Sequence, residues 1–261
     1  MEKEKSKKGN KKGSKTLLII IIIVAVLIIA FAAYKLLGIY SGYKAAEDTY
    51  ANIEKSFETK ETKDSSDSED YSLPFEYDYN ALLSINEDAI GWLYAEDLFS
   101  YPVVLGHDND TYLHQLIDGT YNGCGTLFVD CNFPKGLDGT YSIIYGHNMN
   151  DGSMFGRLSS YEDPSFYESH QKIHVMIRDK HYIYQVFGAF TADVSGYIYN
   201  DTVNNVPVKD FVKQIRQDNL YEMYDGEIDE DDHILILSTC TDNSDVSYRF
   251  IVALVREKEV K

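Results

Sequence analysis

The chain has 261 residues, and 24 Lys plus Arg set against 42 Asp plus Glu give a formal charge of −18. That acidity excludes a sequence-independent nucleic-acid binder, which needs a basic face for phosphates, while 22 Tyr and 12 Phe exclude a wholly disordered chain because so much ring area has to be buried. Three cysteines are too few, and odd in number, for a disulfide-stapled scaffold.

The charge is unevenly placed along the chain. Residues 1–15 carry seven Lys and two Glu, and an uncharged run from Thr16 to Tyr34 follows, almost all Leu, Ile, Val, Ala and Phe. At roughly 1.5 Å per residue this run crosses a hydrocarbon core of roughly 30 Å if Lys35 snorkels and Leu36 to Tyr40 complete the span. A cleaved signal peptide is the alternative, and Ala30-Phe31-Ala32 resembles a small-residue cleavage site, but the apolar run exceeds the roughly 7–15 residues usual for one. The reading is therefore a basic cytoplasmic tail (1–15), a single transmembrane anchor (16–40) and an acidic remainder outside the cell, by the positive-inside rule.

Beyond the anchor, Tyr43, Ala46, Tyr50, Ile53 and Phe57 recur at the spacing of an amphipathic helix. Residues 60–70 (KETKDSSDSED) hold no apolar side chain and read as a solvated acidic tether, so 41–70 is an amphipathic helix plus linker. From Tyr71 to Lys261 the pattern is that of one globular, mainly β domain. Asn86 to Gly91 reads as a single capped helical turn, with Asn86 at its N-cap and Gly91 as a left-handed terminator. Eight short β-type runs follow: Trp92 to Tyr94, Tyr101 to Leu105, Gly125 to Val129, Tyr141 to Tyr145, Ile173 to Ile177, Tyr182 to Phe190, Ile234 to Ser238 and Arg249 to Val255. Many short strands with few helices favour a closed barrel or a sandwich over a doubly wound sheet. One helix interrupts them between the sixth and seventh runs, where Val208, Phe211, Val212 and Ile215 fall at i, i+3, i+4, i+7 with Pro207 near its first turn.

Three side chains carry candidate chemistry. Cys240 ends the apolar run Ile234 to Thr239 where Thr241-Asp242-Asn243-Ser244 turns the chain, and reactive groups reach substrate from strand ends and loops. Arg249 opens the next run; if the two are hairpin neighbours, a guanidinium lies near a thiol and can favour the thiolate or hold a developing oxyanion. His147 follows a third β run in Tyr145-Gly146-His147, and Cys with His is the minimum for thiol nucleophilic catalysis. Two other features are read as structural. Cys124 and Cys131 flank one strand, and seven extended residues span roughly 23 Å, too far for a disulfide between them unless the chain folds back. His170 and His174 have an HxxxH spacing, but their surroundings turn strand-like halfway, which removes the helical face a metal would need.

Together these residues carry a resemblance. Leu237-Ser238-Thr239-Cys240, Arg249 and Tyr145-Gly146-His147 resemble the active site of the sortases, cysteine transpeptidases of Gram-positive cell envelopes. Gly91-Trp92-Leu93, Tyr101-Pro102-Val103-Val104, Asp108-Asn109 with Tyr112-Leu113, Gly125-Thr126-Leu127-Phe128-Val129-Asp130 and Asn148-Met149 before Gly152-Ser153-Met154-Phe155 are similar to class B in particular. The resemblance covers about residues 75–256; Cys124 and Cys131 depart from it. It implies an eight-stranded β-barrel with N-terminal helices, a helix in the loop between strands 6 and 7, and a type II membrane anchor. It further implies that Cys240 is the nucleophile, His147 the general acid/base and Arg249 the residue that holds the oxyanion and orients the peptide, with no metal or organic cofactor. The implied partners are secreted proteins with a C-terminal sorting signal of Asn-Pro-x-Thr-x type and an amine of peptidoglycan, its precursor or a stem peptide. A surface-anchored cysteine protease, a pilin-polymerising sortase and a non-enzymatic surface module remain open as rival functions.

Overall fold

The computed structural model describes residues 11–59, 71–241 and 246–260, so residues 1–10, 60–70, 242–245 and Lys261, with the expected acidic linker and the expected turn after Cys240, lie outside the described residues. Helix α1 is continuous over Lys11–Ser56 and contains a stretch long and apolar enough to cross a membrane, with side chains such as Leu17, Ile22 and Phe31 exposed. The chain divides into two compact units, residues 1–45 and 46–261.

Within the second unit, the end of α1 is a packing helix. Ala46, Tyr50, Ile53 and Phe57 are buried, as their spacing predicts. The Phe57 ring meets Trp92, Phe75 and Tyr77 at 5.3–5.6 Å between centroids, and Tyr50 meets Tyr101 edge-on at 5.3 Å. The Tyr50 hydroxyl donates to the carbonyl of Gly125 and lies 3.0 Å from Thr126 Oγ1. A two-residue ladder, Glu58–Thr59 with Phe75–Glu76, follows α1, and α2 covers Tyr79–Ile85.

Eight strands form a closed barrel: β1 (Ala89–Ala95), β2 (Phe99–Val104), β3 (Leu127–Val129), β4 (Tyr141–Tyr145), β5 (Lys172–Ile177), β6 (Lys180–Asp193), β7 (Ile234–Cys240) and β8 (Tyr248–Val260). Their order is β8-β6-β5-β1-β2-β3-β4-β7, with β7 returning to β8; β2/β3 and β4/β7 are parallel and the remaining pairs antiparallel. Each of the eight β-type runs in the sequence becomes one barrel strand. Helix α3 (Pro164–Ser169) precedes β5, and α4 (Tyr197–Val203) and α5 (Val208–Asp218) lie between β6 and β7.

The stripe Val208, Phe211, Val212 and Ile215 of α5 is buried. Pro207 stands at its N-cap, and the Glu230 carboxylate accepts from the Val208 and Lys209 amides at 2.7 and 3.2 Å in place of a capping side chain. The helix stops at Asp218 because Asn219 turns to the sheet, accepting from Ala189 N at 3.1 Å and donating to Phe187 O at 2.9 Å, where the β6/β8 register slips.

One expectation is overturned. Asn86 does not start a helical turn; it ends α2, its amide donating to Leu82 O at 3.2 Å, while Asp78 caps the start by accepting from Ala81 N at 3.0 Å. Gly91 is no terminator. It sits inside β1, where a Cβ would fall 2.0 Å from the carbonyl oxygen of Met176 on β5. The glycine serves close strand approach, which local spacing does not distinguish from a left-handed cap.

On β5 and β6, His174 Nδ1 and His181 Nε2 are 2.9 Å apart, and burial pulls the pKa of His174 down to about 4. His170 stacks on Phe166 at 3.9 Å instead of facing His174.

Two outcomes are expected. Tyr50→Phe leaves the Gly125 carbonyl without its donor and lowers the unfolding free energy by about 1–3 kcal/mol in urea titration; no change would mean water replaces the bond. An unfolded histidine titrates near 6.5 and folded His174 at about 4, so between them only the unfolded chain takes up the proton. This contribution is complete above about pH 6.5 and is lost as pH falls, by on the order of 3 kcal/mol at full protonation. Denaturation between pH 7 and 5 is therefore steeper in pH for the wild-type chain than for His174→Phe, and equal slopes would contradict it.

Candidate active site

Strand β7 is buried from Ile234 to Thr239 and emerges at Cys240, whose side chain is exposed. Its two edges are both paired. On one, Cys240 stands directly opposite Arg249 of β8, a placement that sets Cβ atoms about 4.5–5.5 Å apart. On the other, parallel pairing sets Ser238 against Tyr145 of β4, so the turn Gly146-His147 leaves β4 at the same end of the barrel.

That turn is tied to β7 by name. Gly146 N donates to Ser238 O at 3.3 Å, Thr239 Oγ1 donates to Gly146 O at 2.8 Å, and Asn148 Nδ2 donates to Cys240 O at 3.0 Å. A Cβ on Gly146 would fall 2.5 Å from Leu127 and 2.6 Å from Phe155, so a side chain there would displace the histidine next to it. The His147 ring places Nε2 at 2.8 Å from the carbonyl oxygen of Leu113 and stacks on His114 at 6.2 Å between centroids.

The three candidate residues share one cavity of about 770 Å³, lined also by Ser238, Tyr145 and Tyr199. Its floor is a polar chain. The Tyr145 hydroxyl donates to Asp130 Oδ2 at 2.8 Å, the Tyr145 and Tyr199 rings stack at 6.5 Å, and Tyr199 Oη lies 2.9 Å from Ser238 Oγ. Burial holds the Tyr145 hydroxyl far above the usual phenol range, with Asp130 adding to it; burial also raises Tyr199, and the Arg249 guanidinium opposes both shifts. Arg249 Nη1 donates to Val246 O and Tyr248 O, each at 2.8 Å.

The cavity wall contributed by α4, with Tyr199, Asn200, Val203 and Asn204, escaped sequence reasoning. A trace of it was present in the four-residue spacing of Ile198 and Thr202, both fully buried, after Gly196. Asp130 was also missed as a site residue, since one acidic residue after a β run carries no signal of its own. Of the other sequence candidates, Cys124 and Cys131 are free thiols, buried and half-buried, and His170 and His174 lie outside the cavity. Among the described residues, no group of three or more His, Cys, Asp or Glu is placed to hold a metal ion.

Comparison with known proteins finds relatives of the chain. A family model described as Sortase domain matches residues 98–257. The chain is similar to Sortase B of Staphylococcus aureus, 29% identical over 229 residues, covering 86% of this chain and 90% of the relative. It is also similar to Sortase B of Listeria monocytogenes, 30% identical over 166 residues, covering 63% and 67%. Among solved structures, the Staphylococcus aureus sortase B–substrate complex superimposes with a TM-score of 0.61 at 28% identity, covering 69% of this chain and 84% of that one.

The three thiols are expected to react in order of access. Cys124 is 2% exposed and burial pushes its thiol up to about 11, so iodoacetamide at neutral pH labels exposed Cys240 first and Cys124 last by peptide mass spectrometry. Labelling of Cys124 ahead of Cys240 would contradict the burial pattern.

Proposed function

The chain belongs to the sortase family as a class B sortase-type cysteine transpeptidase, and on that premise we propose that Cys240, His147 and Arg249 perform a two-step acyl transfer. The Cys240 thiolate attacks the carbonyl carbon that follows the Thr of a sorting signal on a secreted protein. Arg249 holds the tetrahedral oxyanion and orients the peptide, and imidazolium His147 protonates the departing amine, leaving a thioacyl intermediate on Cys240. An acceptor amine on peptidoglycan, its precursor or a stem peptide then attacks the thioester and releases the thiolate. The signal is of Asn-Pro-x-Thr-x type.

The observation that carries this reading is the register. Cys240 faces Arg249 across β7/β8, while hydrogen bonds from Thr239 and Asn148 tie the His147 turn to the same strand end. An arginine at the strand position opposite the thiol brings a cation to the terminus where negative charge develops.

The apolar part of α1 supports a single-pass anchor (16–40), with the Lys-rich segment 1–15 retained in the cytoplasm and 71–261 outside, tethered by 41–70. An extracellular catalytic domain suits substrates that arrive by secretion. Its net acidity attracts amines and basic peptide tails.

The test is mass spectrometry of the full chain in detergent micelles with Asn-Pro-x-Thr-x and Leu-Pro-x-Thr-Gly peptides, with and without an oligoglycine or diaminopimelate-type amine. A thioester adduct on Cys240 that added amine converts to ligated peptide is expected, and Cys240→Ala removes it. Arg249→Ala lowers the rate about 10²–10³-fold and His147→Ala about 10²–10⁴-fold. Release of free acid with no ligated product in excess amine would point to a protease instead. Absence of any adduct across the peptides would count against the sorting-signal assignment.

A further inference from the structure

The His147 ring makes one contact whose chemistry leaves a single assignment. Nε2 lies 2.8 Å from the backbone carbonyl oxygen of Leu113, and a carbonyl oxygen only accepts, so the hydrogen is on Nε2. In the neutral ring the lone pair is then on Nδ1. In the imidazolium both nitrogens carry hydrogen, but the Nε2 hydrogen is already engaged. Among the described residues, none is hydrogen-bonded to Nδ1.

The carbonyl itself is held from several sides. Leu113 ends a 3₁₀ turn, Thr111–Leu113, organised by Asp108. Asp108 Oδ1 accepts from the amides of Thr111 and Asp110 at 2.7 and 2.8 Å and Oδ2 accepts from Thr111 Oγ1 at 3.0 Å; these bonds, the Thr111 amide foremost, hold the carboxyl below its usual range. Gly125, at φ +62°, packs against the same turn, and a Cβ there would fall 2.4 Å from Tyr112 O and 2.8 Å from Leu113 O. Only glycine allows that approach. The Gly125 carbonyl is in turn the acceptor of the buried Tyr50 hydroxyl. The His114 ring, 26° from parallel with His147, has Tyr121 on it at 6.1 Å.

We propose that the Leu113 carbonyl is a positioning group that commits His147 to the Nε2–H form, so that every proton His147 exchanges with substrate passes through Nδ1. The proposal rests on the acid/base role given to His147 under Proposed function. In the first step the Cys240 Sγ–carbon bond forms, the carbon–nitrogen bond of the signal breaks, and the Nδ1 proton goes to the departing amine, leaving neutral His147. In the second step the acceptor nitrogen bonds to the same carbon, the carbon–sulfur pair returns to Sγ as thiolate, and a proton of the acceptor moves to Nδ1. The ring begins and ends as imidazolium, with the Leu113 bond unbroken throughout. Exchange at Nε2 would break that bond twice per turnover.

Two measurements on the full chain in detergent micelles decide it. In ¹⁵N-histidine NMR, with the His147 resonances assigned by their loss in His147→Gln, the neutral ring is expected to carry its hydrogen on Nε2; a neutral Nδ1–H ring overturns the proposal without reference to activity. In the second, Nδ1-methylhistidine is installed at position 147 by genetic code expansion, which blocks Nδ1 and leaves Nε2 as the one ring nitrogen able to take up and release a proton. Its ligation rate is expected to fall to that of His147→Ala, about 10²–10⁴-fold below wild type. A methylated chain that ligates at the wild-type rate, while His147→Ala does not, overturns the Nδ1 assignment. If His147→Ala itself ligates at the wild-type rate, the acid/base reading fails instead, and the NMR result still decides whether Leu113 sets the tautomer.

Discussion

Strand β7 is hydrogen-bonded along both edges, parallel to β4 and antiparallel to β8, and the cavity exists because of that double pairing. A strand paired on one edge would bring either the cation or the imidazole to the thiol. Pairing on both brings Arg249 and the Gly146-His147 turn to one strand terminus, and barrel closure through β8 and β6 leaves neither edge free to slip. Register is strongly specified here because Ile234 to Leu237 are buried, and a one-residue slip would turn every side chain to the opposite face.

Around that frame, the loops act as supports more than as lids. The loop from Asp108 to Thr126 presents the Leu113 carbonyl to His147, and it is anchored from beneath by Tyr50 of α1 through Gly125 and Thr126. Within residues 46–261, the last turns of α1 therefore have a part in ordering the site, and the distance from Tyr50 to His147 is covered by two hydrogen bonds and one glycine approach. On the other side, α4 brings Tyr199 over the floor of the cavity, where its ring stacks on Tyr145 and its hydroxyl meets Ser238. The Asp130–Tyr145 bond makes that floor polar but well satisfied, which is the condition under which buried polar groups stabilise a site instead of loosening it.

Elements that announce themselves by local pattern were legible in the chain. The eight β runs, the α5 stripe and the packing face of α1 are each written in periodicity, because burial of one face repeats at the period of the element. Asn86 and Gly91 misled for the complementary reason. An Asn and a Gly five residues apart suit either end of a helical turn, and the choice was made by Asp78 upstream and by the carbonyl of Met176 on a strand far along the chain. Helix α4 was missed because its seven residues offer only one buried pair, Ile198 and Thr202, too little to set a helical period.

The amino-acid sequence by itself determined the class of chemistry and the order of its parts: a cysteine delivered at the end of an apolar strand, a histidine after a Gly turn, an arginine at the start of the last strand, and an apolar N-terminal segment. These are properties of residue type and near-neighbour spacing. Only the tertiary structure decided that Cys240 lies opposite Arg249 itself and not a neighbour, that Thr239 and Asn148 tie the histidine turn to the strand that ends in Cys240, that α4 supplies a wall, and that His147 is held by a carbonyl 34 residues away in the chain. Each of those is a pairing between distant segments. A backbone carbonyl has no residue type, so the partner that fixes the imidazole could not be read from any letter of the sequence.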